Sequence, residues 1–273
     1  MSSEHPLTKP DPFVHRYGPW ALVTGASSGI GEEFARQLAA RGLHLVLCAR
    51  RKDRLDTLAA ALLAAHGTQT RILELDLSRP DFMPAVTAAT DGLEIGLLVN
   101  NAGFGDKGAF VDADLPMLLR MLDTNCRAPL ILAHAFAPKL VARGRGGIIF
   151  TSSTAAFQGL PWASHYAATK GHGLQLAEGL FHELKPKGVD VLALCPGPTD
   201  TEGPRRTGVD PDKVPVKMMQ VGPVVAAALA ALGRAPVAVP GASNRLVHFL
   251  VKLVGRRTAS ALGGRMIRRV TGG

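Results

Sequence analysis

Trp20-Ala-Leu-Val-Thr-Gly25-Ala-Ser-Ser-Gly29-Ile-Gly31 is the stretch on which the fold of this 273-residue chain turns. Trp20–Thr24 is a short apolar run, the mark of a buried first strand, and Ile30, Phe34 and Leu38 recur at the four-residue spacing of a helix. Between them lies a turn rich in glycine. Glycines let the backbone come close to a ligand, and the free N–H groups at a helix start suit an anion. Strand, glycine turn and helix together make the setting that a dinucleotide pyrophosphate requires, although the spacing here is GxxxGxG rather than GxGxxG. An ordinary tight turn is the competing reading. The flanking elements favour phosphate binding by Gly25, Ser27, Ser28, Gly29, Ile30 and Gly31.

Working outward, His44–Ala49 reads as a second strand, followed by the basic run Arg50, Arg51, Lys52 and Arg54. A site selective for NAD(H) usually keeps an acid about 20 residues past the glycines, on the ribose hydroxyls. Arg50 occupies that place, and its planar, permanent charge suits a 2′-phosphate. NADP(H) is therefore favoured over NAD(H), with Asp53 the one residue that pulls the other way. Thr70–Leu75 forms the third strand and leads to Asp76, placed to hold an adenine amine, and Leu77. Ile95–Val99 leads to Asn100 and then Asn101, Ala102 and Gly103, small enough for a cofactor to approach. Pro116–Arg143 reads as a long helical region with a bend, containing Asn125, Pro129 and Pro138. Gly146–Ser152 and Val189–Cys195 are further strands, the latter closed by Pro196-Gly197-Pro198-Thr199. The proline-containing loop 197–220 is a candidate substrate lid. Val221–Leu232 is a helix and Ala235–Val239 a last strand. Strict alternation of strand and helix predicts a doubly wound α/β domain with a parallel sheet and helices on both faces. Its ligands should bind at the strands' C-terminal ends, where all the polar punctuation falls.

One of only two tyrosines, Tyr166, is followed four residues later by Lys170 and preceded thirteen residues earlier by Ser153. If Tyr166 opens a helix, Lys170 shares its face one turn along, and Ser153 stands at the end of the facing strand. A phenol titrating near ~10 is a poor proton donor or acceptor at neutral pH, and an adjacent ammonium favours its ionised form. Ser153 can hold a carbonyl oxygen against the phenol. The set is suited to proton transfer in a carbonyl/alcohol pair, whereas a two-residue motif alone would more often be an incidental pair on an amphipathic helix.

Taken in order, the glycine turn, Asp76, Asn100–Gly103, Asn125, Ser153, Tyr166, Lys170 and Pro196–Thr199 resemble the classical short-chain dehydrogenase/reductase family, over about residues 18–240. The resemblance implies a single Rossmann domain in which Tyr166 is the proton donor or acceptor and Ser153 orients the carbonyl. It implies that Lys170 binds nicotinamide ribose and tunes Tyr166, and that Asn125 holds a water of a proton relay. Asn100 would tie neighbouring strands, Asp76 would meet adenine, and Pro196, Gly197 and Thr199 would meet the nicotinamide or the phosphates. Arg50 sits where NADP-preferring members keep a basic residue. Dimers and tetramers are the family's habit, so a homo-oligomer is expected. The resemblance implies a small carbonyl or alcohol substrate; Phe157, Leu160, Trp162, Met218 and Met219 could form an apolar pocket for a lipophilic one or could equally serve packing. The competing class is a non-enzymatic NADP(H)-responsive binding protein on the same fold, which would need the cofactor site but not the proton site.

Composition narrows the rest. Hydrophobic residues make up 47% of the chain, enough for a sizeable core. The net charge of +9 resides in residues 213–273, which hold ten Lys/Arg and no Asp or Glu. The high pI therefore does not argue for nucleic-acid binding by the whole protein. Cys48, Cys126 and Cys195 are scattered without metal-like spacing, so no metal site is expected, and the count suits a reducing cytoplasm. Residues 1–17, with Pro6, Pro10 and Pro12, read as an extended arm without a signal-like run, and apolar stretches fall short of the ~20 residues that span a bilayer. Residues 241–273 form a basic extension of two amphipathic helices. In the first, Arg245, His248, Lys252 and Arg256 are the polar positions, and Leu246, Val247, Phe249, Leu250, Val251, Leu253 and Val254 the face to be buried. Packing on the core or on a partner subunit is the plain expectation, and peripheral contact with an anionic membrane the sharper one.

Overall fold

The computed structural model describes residues 11–203 and 218–271, so most of the 197–220 segment read as a lid lies outside the described residues. Among the described residues, seven strands form one parallel sheet in the order β3-β2-β1-β4-β5-β6-β7. They are β1 Trp20–Thr24, β2 His44–Ala49, β3 Thr70–Glu74, β4 Ile95–Asn100, β5 Gly146–Thr151, β6 Val189–Leu194 and β7 Val237–Ala238. Every residue of β4 and β6 is buried, as a strand covered on both faces requires. Side chains alternate between two cores. Leu45 and Leu47 pack with α2 (Gly29–Ala39), α3 (Lys52–His66) and α8 (Val221–Ala231). Val46 and Cys48 face the other core, built with α4 (Met83–Thr90), α6 (Ala128–Arg143) and α7 (Ser164–Leu184). The strand order reverses between β1 and β4, which opens a crevice at their C-terminal ends. The predicted α/β architecture is the observed one.

Three local expectations change. Residues 12–17 are not extended but form a short helix, α1 (Pro12–Tyr17), capped by Asp11, whose carboxylate accepts from the Phe13 amide at 2.8 Å. Pro12 stands at the first helical position, where its missing N–H costs nothing. The helix is fastened to the sheet through the fully buried Asp190, which accepts hydrogen bonds from Tyr17 Oη at 2.7 Å and Lys185 Nζ at 2.8 Å and pairs with Arg16.

The region 116–143 is divided at Asn125 rather than at its prolines: α5 (Leu115–Leu122) runs into a π-helical turn, Asp123–Arg127, and then into α6. Pro129 lies in the first turn of α6, where proline is tolerated, and Pro138 is accommodated inside it.

The third change is in the extension, which forms α9 (Ala242–Leu253) and α10 (Arg256–Thr271). In α9, His248 turns inward, its ring 3.7 Å from that of Phe157, while Leu246, Phe249, Leu250 and Leu253 are exposed. The apolar stripe is therefore turned away from the core, so that, of the settings expected for it, packing on the core is not the one observed.

Candidate active site

The crevice between β1 and β4 is closed from beneath by Thr24. Its hydroxyl accepts from the amides of Asn101 (2.9 Å) and Ala102 (3.0 Å) and donates to the Val99 carbonyl (3.2 Å). Asn101 completes the clamp, donating its side-chain amide to the Thr24 carbonyl at 3.0 Å. Asn101, not Asn100, thus ties the strands. Asn100 instead donates to the Pro129 carbonyl at the start of α6, and its own side-chain oxygen is buried without a partner. Gly31 has no room for a side chain, because a Cβ there would meet the Gly25 carbonyl and the Asn101 amide. Ser28 precedes α2 in extended conformation and makes no side-chain capping bond, so the first N–H groups of the helix are left for a ligand.

The basic run beyond β2 splits. Arg51 donates to Ser28 Oγ (2.8 Å) and Ser27 Oγ (3.2 Å) and pairs with Glu202 at 2.8 Å; Arg54 also pairs with Glu202. Arg50 is exposed and lines a cleft of about 440 Å³ with Glu74, Leu75, Asp76 and Phe82. Burial pushes the Asp76 carboxyl up, but hydrogen bonds from Ser78 and the charges of Arg50 and Arg120 outweigh it and leave it ionised below its ordinary range. Leu77 beside it is buried. A glycine turn with no space at Gly31, uncapped helical amides, a cationic Arg51 on the turn and Asp76 at the far end fit an adenine dinucleotide.

Across the crevice, β5 and α7 bring together the residues separated in sequence. Ser153 leaves β5 in extended conformation, its hydroxyl accepting from the Ala155 amide at 3.1 Å and lying close enough to the Tyr166 phenol to lower its pKa. Tyr166 is half-buried in the first turn of α7, and Lys170 follows one turn on, buried, with Nζ 5.9 Å from the Tyr166 ring centre. Lys170 donates to the Thr151 carbonyl at 2.9 Å. Burial lowers Lys170 to about 8 and raises Tyr166, against which the neighbouring Ser153 hydroxyl works. The resting site therefore keeps its phenol protonated and holds a lysine balanced between its two forms near pH 8.

Asn125 is drawn in by the π turn: its side chain accepts from the Phe104 amide (3.1 Å) and donates to the Phe104 carbonyl (2.8 Å) and Thr169 Oγ1 (3.0 Å). A Cβ on Gly103 would lie 2.9 Å from Asn125 Oδ1 and 3.2 Å from Lys170 Nζ, so the β4 loop backs directly onto the site. Opposite, the Pro196 carbonyl accepts from the Thr154 amide (3.0 Å), and buried Thr199 donates to Gly197 O (2.9 Å).

The family model for short chain dehydrogenases matches residues 19–211, the span that carries every residue just described. The chain belongs to that family. Among relatives of this short-chain dehydrogenase, 7beta-hydroxysteroid dehydrogenase of Clostridium sardiniense is 33% identical over 189 residues, covering 69% of this chain and 72% of the relative. A structure concerned with 7beta-hydroxysteroid dehydrogenase stereoselectivity superposes with a TM-score of 0.85 at 26% identity, covering 92% of this chain and 98% of that one. A short-chain dehydrogenase from Sphingobium yanoikuyae in complex with NADPH is 38% identical with a TM-score of 0.79, covering 86% of this chain and 92% of the other. The protein is thus an oxidoreductase of the hydroxyl/carbonyl class that uses a nicotinamide cofactor.

Within this dehydrogenase the structure gathers Ser153, Tyr166, Lys170 and Asn125 at one place and the glycine turn at the other side of the same crevice. Arg51 and Thr24 were not singled out by sequence reasoning. The signal for Arg51 is the alternation of β2: successive residues leaving a strand point to opposite faces, so 50 and 51 cannot serve the same neighbour. His165 is committed to the Leu118 carbonyl at 2.9 Å, and His172 and His182 are exposed. The three cysteines are buried, free and raised by burial, Cys48 and Cys195 to about 12 and Cys126 to about 11.

Proposed function

We propose that this dehydrogenase reduces a bulky, lipophilic ketone with NADPH, Tyr166 giving the proton to the carbonyl oxygen. The observation that carries this reading is the placement of Tyr166 and Lys170 one turn apart on α7, with Nζ 5.9 Å from the phenol ring centre, facing Ser153 at the end of β5. The nicotinamide cofactor supplies the hydride. Ser153 donates a hydrogen bond to the carbonyl oxygen, and the Tyr166 phenol transfers its proton to that oxygen as negative charge develops. The Lys170 cation stabilises the phenolate left behind and hands on a replacement proton. With its side chain committed to Phe104 and Thr169, Asn125 would serve the relay through its main-chain carbonyl, in a π turn whose hydrogen-bond pattern departs from the helix.

Selectivity for the 2′-phosphate is assigned chiefly to Arg51, which lies on Ser27 and Ser28, with Arg50 on the adenine side by Asp76. The steroid named for the relatives supports a bulky apolar substrate. So does the apolar group Ala155, Leu160, Ala163 and Ala167 packed beside Tyr166. Met219 does not join it; it sits on Gly241 and Asn244. A homo-oligomer is expected through the exposed stripe Leu115, Leu119, Leu122 and Leu130 on α5 and α6, and the buried single thiols suit a reducing compartment. No helix among the described residues is long and apolar enough to cross a membrane.

Replacing Tyr166 by Phe tests the mechanism. Steady-state turnover of a ketone panel should fall about 10²–10⁴-fold, the usual contribution of a positioned general acid. NADPH affinity by fluorescence titration should stay within a few-fold. A cofactor-sensing protein without chemistry would show tight NADPH binding and no turnover of any ketone in the panel by the unaltered chain.

A further inference from the structure

We propose that α9 and α10 form a docking face for an anionic lipid surface, seated directly against the substrate side of the active site. The outer face of α9 carries Leu246, Phe249, Leu250 and Leu253 at i, i+3, i+4 and i+7, between half and two-thirds exposed, with Arg245 and Lys252 along one edge. A helix that buried its apolar stripe on the protein would show the reverse. Here the inner face is Asn244 and His248, Asn244 donating to the Pro240 carbonyl at 2.8 Å and the His248 ring packing tilted against that of Phe157. The outward stripe has therefore no work to do in the fold.

Helix α10 is divided in the same way. Its inner face is Ala259, Gly264 and Ile267; Gly264 lies so close to Pro161 that a Cβ would come within 2.8 Å of the ring. Outward it presents Arg257, Arg265 and Arg269, with Leu262 and Met266 exposed beside them. Exposed aliphatic and aromatic side chains rimmed by cations, with no acidic residue anywhere from 213 to 273, match a bilayer interface carrying negative headgroups.

A second copy fits this face badly. Pairing α9 with itself across a two-fold axis would bring the Arg245 and Lys252 edges together with no local acid to neutralise them. The stripe on α5 and α6 is free of that penalty and is the better place for a subunit. The position of the face also has a consequence. Phe157 and Pro161, on which the two helices rest, belong to the segment joining Ser153 to Tyr166, and the Arg268 guanidinium lies 4.4 Å over the Trp162 ring in that same segment. Docking would hold the substrate wall against the lipid, so that an apolar ketone enters from the bilayer; this last step rests on the carbonyl-reductase reading.

The full chain is tested by sedimentation with sucrose-loaded vesicles of phosphatidylserine and phosphatidylcholine, against phosphatidylcholine alone, at low and high salt. It should sediment with the anionic vesicles at low salt and be released at high salt. The double variant Phe249→Asp/Leu250→Asp, at exposed positions, should stay in the supernatant with an unchanged circular dichroism spectrum and melting curve. Arg265→Gln/Arg269→Gln should weaken partitioning by about five-fold for each arginine removed. Failure of the unaltered chain to bind anionic vesicles, or equal binding by the aspartate variant, overturns the proposal. A change from dimer to monomer in that variant by light scattering, without vesicle binding by the unaltered chain, gives the face to a second copy. Sedimentation needs no turnover, so activity on a soluble ketone reports separately on the proposed reaction.

Discussion

Lys170 is a buried amine whose charge the protein keeps only weakly. Its pKa is lowered to about 8 by burial, so between about pH 8 and 10.5 the unfolded chain binds a proton that the folded one has released. The amine's own contribution to stability then rises with pH across that window, at up to about 1.4 kcal/mol per pH unit, against an opposite slope above about pH 9 from the three buried thiols. Below pH 8 both states are protonated, and the cost of the buried cation is carried in full. Urea unfolding of the cofactor-free protein should give a more positive slope of stability against pH than Lys170→Met, a variant that should also lose turnover; equal slopes in both would mean that the amine is solvated. The two arginines after β2 are separable in the same way. Loss of Arg51 should weaken NADPH roughly 10- to 100-fold in titrations and leave NADH within a few-fold, because charge-assisted bonds to phosphate contribute about 1.5–3 kcal/mol. Arg50→Ala should have the smaller effect, since Arg50 faces Asp76 and not the glycine turn.

At the scale of elements, the β1–α2 turn depends on an absence. Gly31 lies where the Gly25 carbonyl and the Asn101 amide leave no volume, and Asn101 is itself held by Thr24. Gly31→Ala should cost about 1–3 kcal/mol in chemical denaturation, as overpacking does, and should weaken NADPH binding by displacing the first turn of α2. The π turn at Asp123–Arg127 is a second such device. It places Asn125 between the Phe104 loop and Thr169, so that the β4 loop and α7 are fixed to one another beside Tyr166. Nothing in the local run Asp-Thr-Asn-Cys-Arg announces a wide turn. It becomes favourable only because those two partners are waiting on other elements.

For the molecule as a whole, α1 closes the end of the sheet opposite the active site. Asp190 is fully buried, and burial would raise its carboxyl; hydrogen bonds from Arg16, Lys185 and Tyr17 prevail and hold it below its ordinary value. A carboxyl held low contributes stability above its unfolded pKa near 3.8 and loses it as pH falls. Removing residues 1–17 takes away Arg16 and Tyr17, leaving a buried carboxylate with Lys185 alone. Urea unfolding at pH 7 should show a loss of about 3–5 kcal/mol, the usual cost of breaking a buried ion pair, and the gap should narrow in acid. An undiminished midpoint would return these residues to the status of a dispensable arm.

Much of this protein was legible without coordinates. Apolar runs of five or six residues such as β1, β4 and β6, closed by glycine, asparagine or proline, determined a parallel sheet with ligands at one edge, because a strand buried on both faces leaves no alternation to misread. Tyr166 and Lys170 were readable for the same kind of reason, since a spacing of four has one meaning on a helix. Tertiary structure decided what depends on a neighbour from elsewhere in the chain. The choice of Arg51 over Arg50 for the glycine turn needed the position of Ser27 and Ser28, 24 and 23 residues away. Asn101 rather than Asn100 became the clamp because Thr24 lies across the crevice. Helix α9 shows the limit most plainly. Its periodicity announced an amphipathic helix correctly, but a sequence period carries no direction, and only the contact of His248 with Phe157 turned the apolar face to the outside.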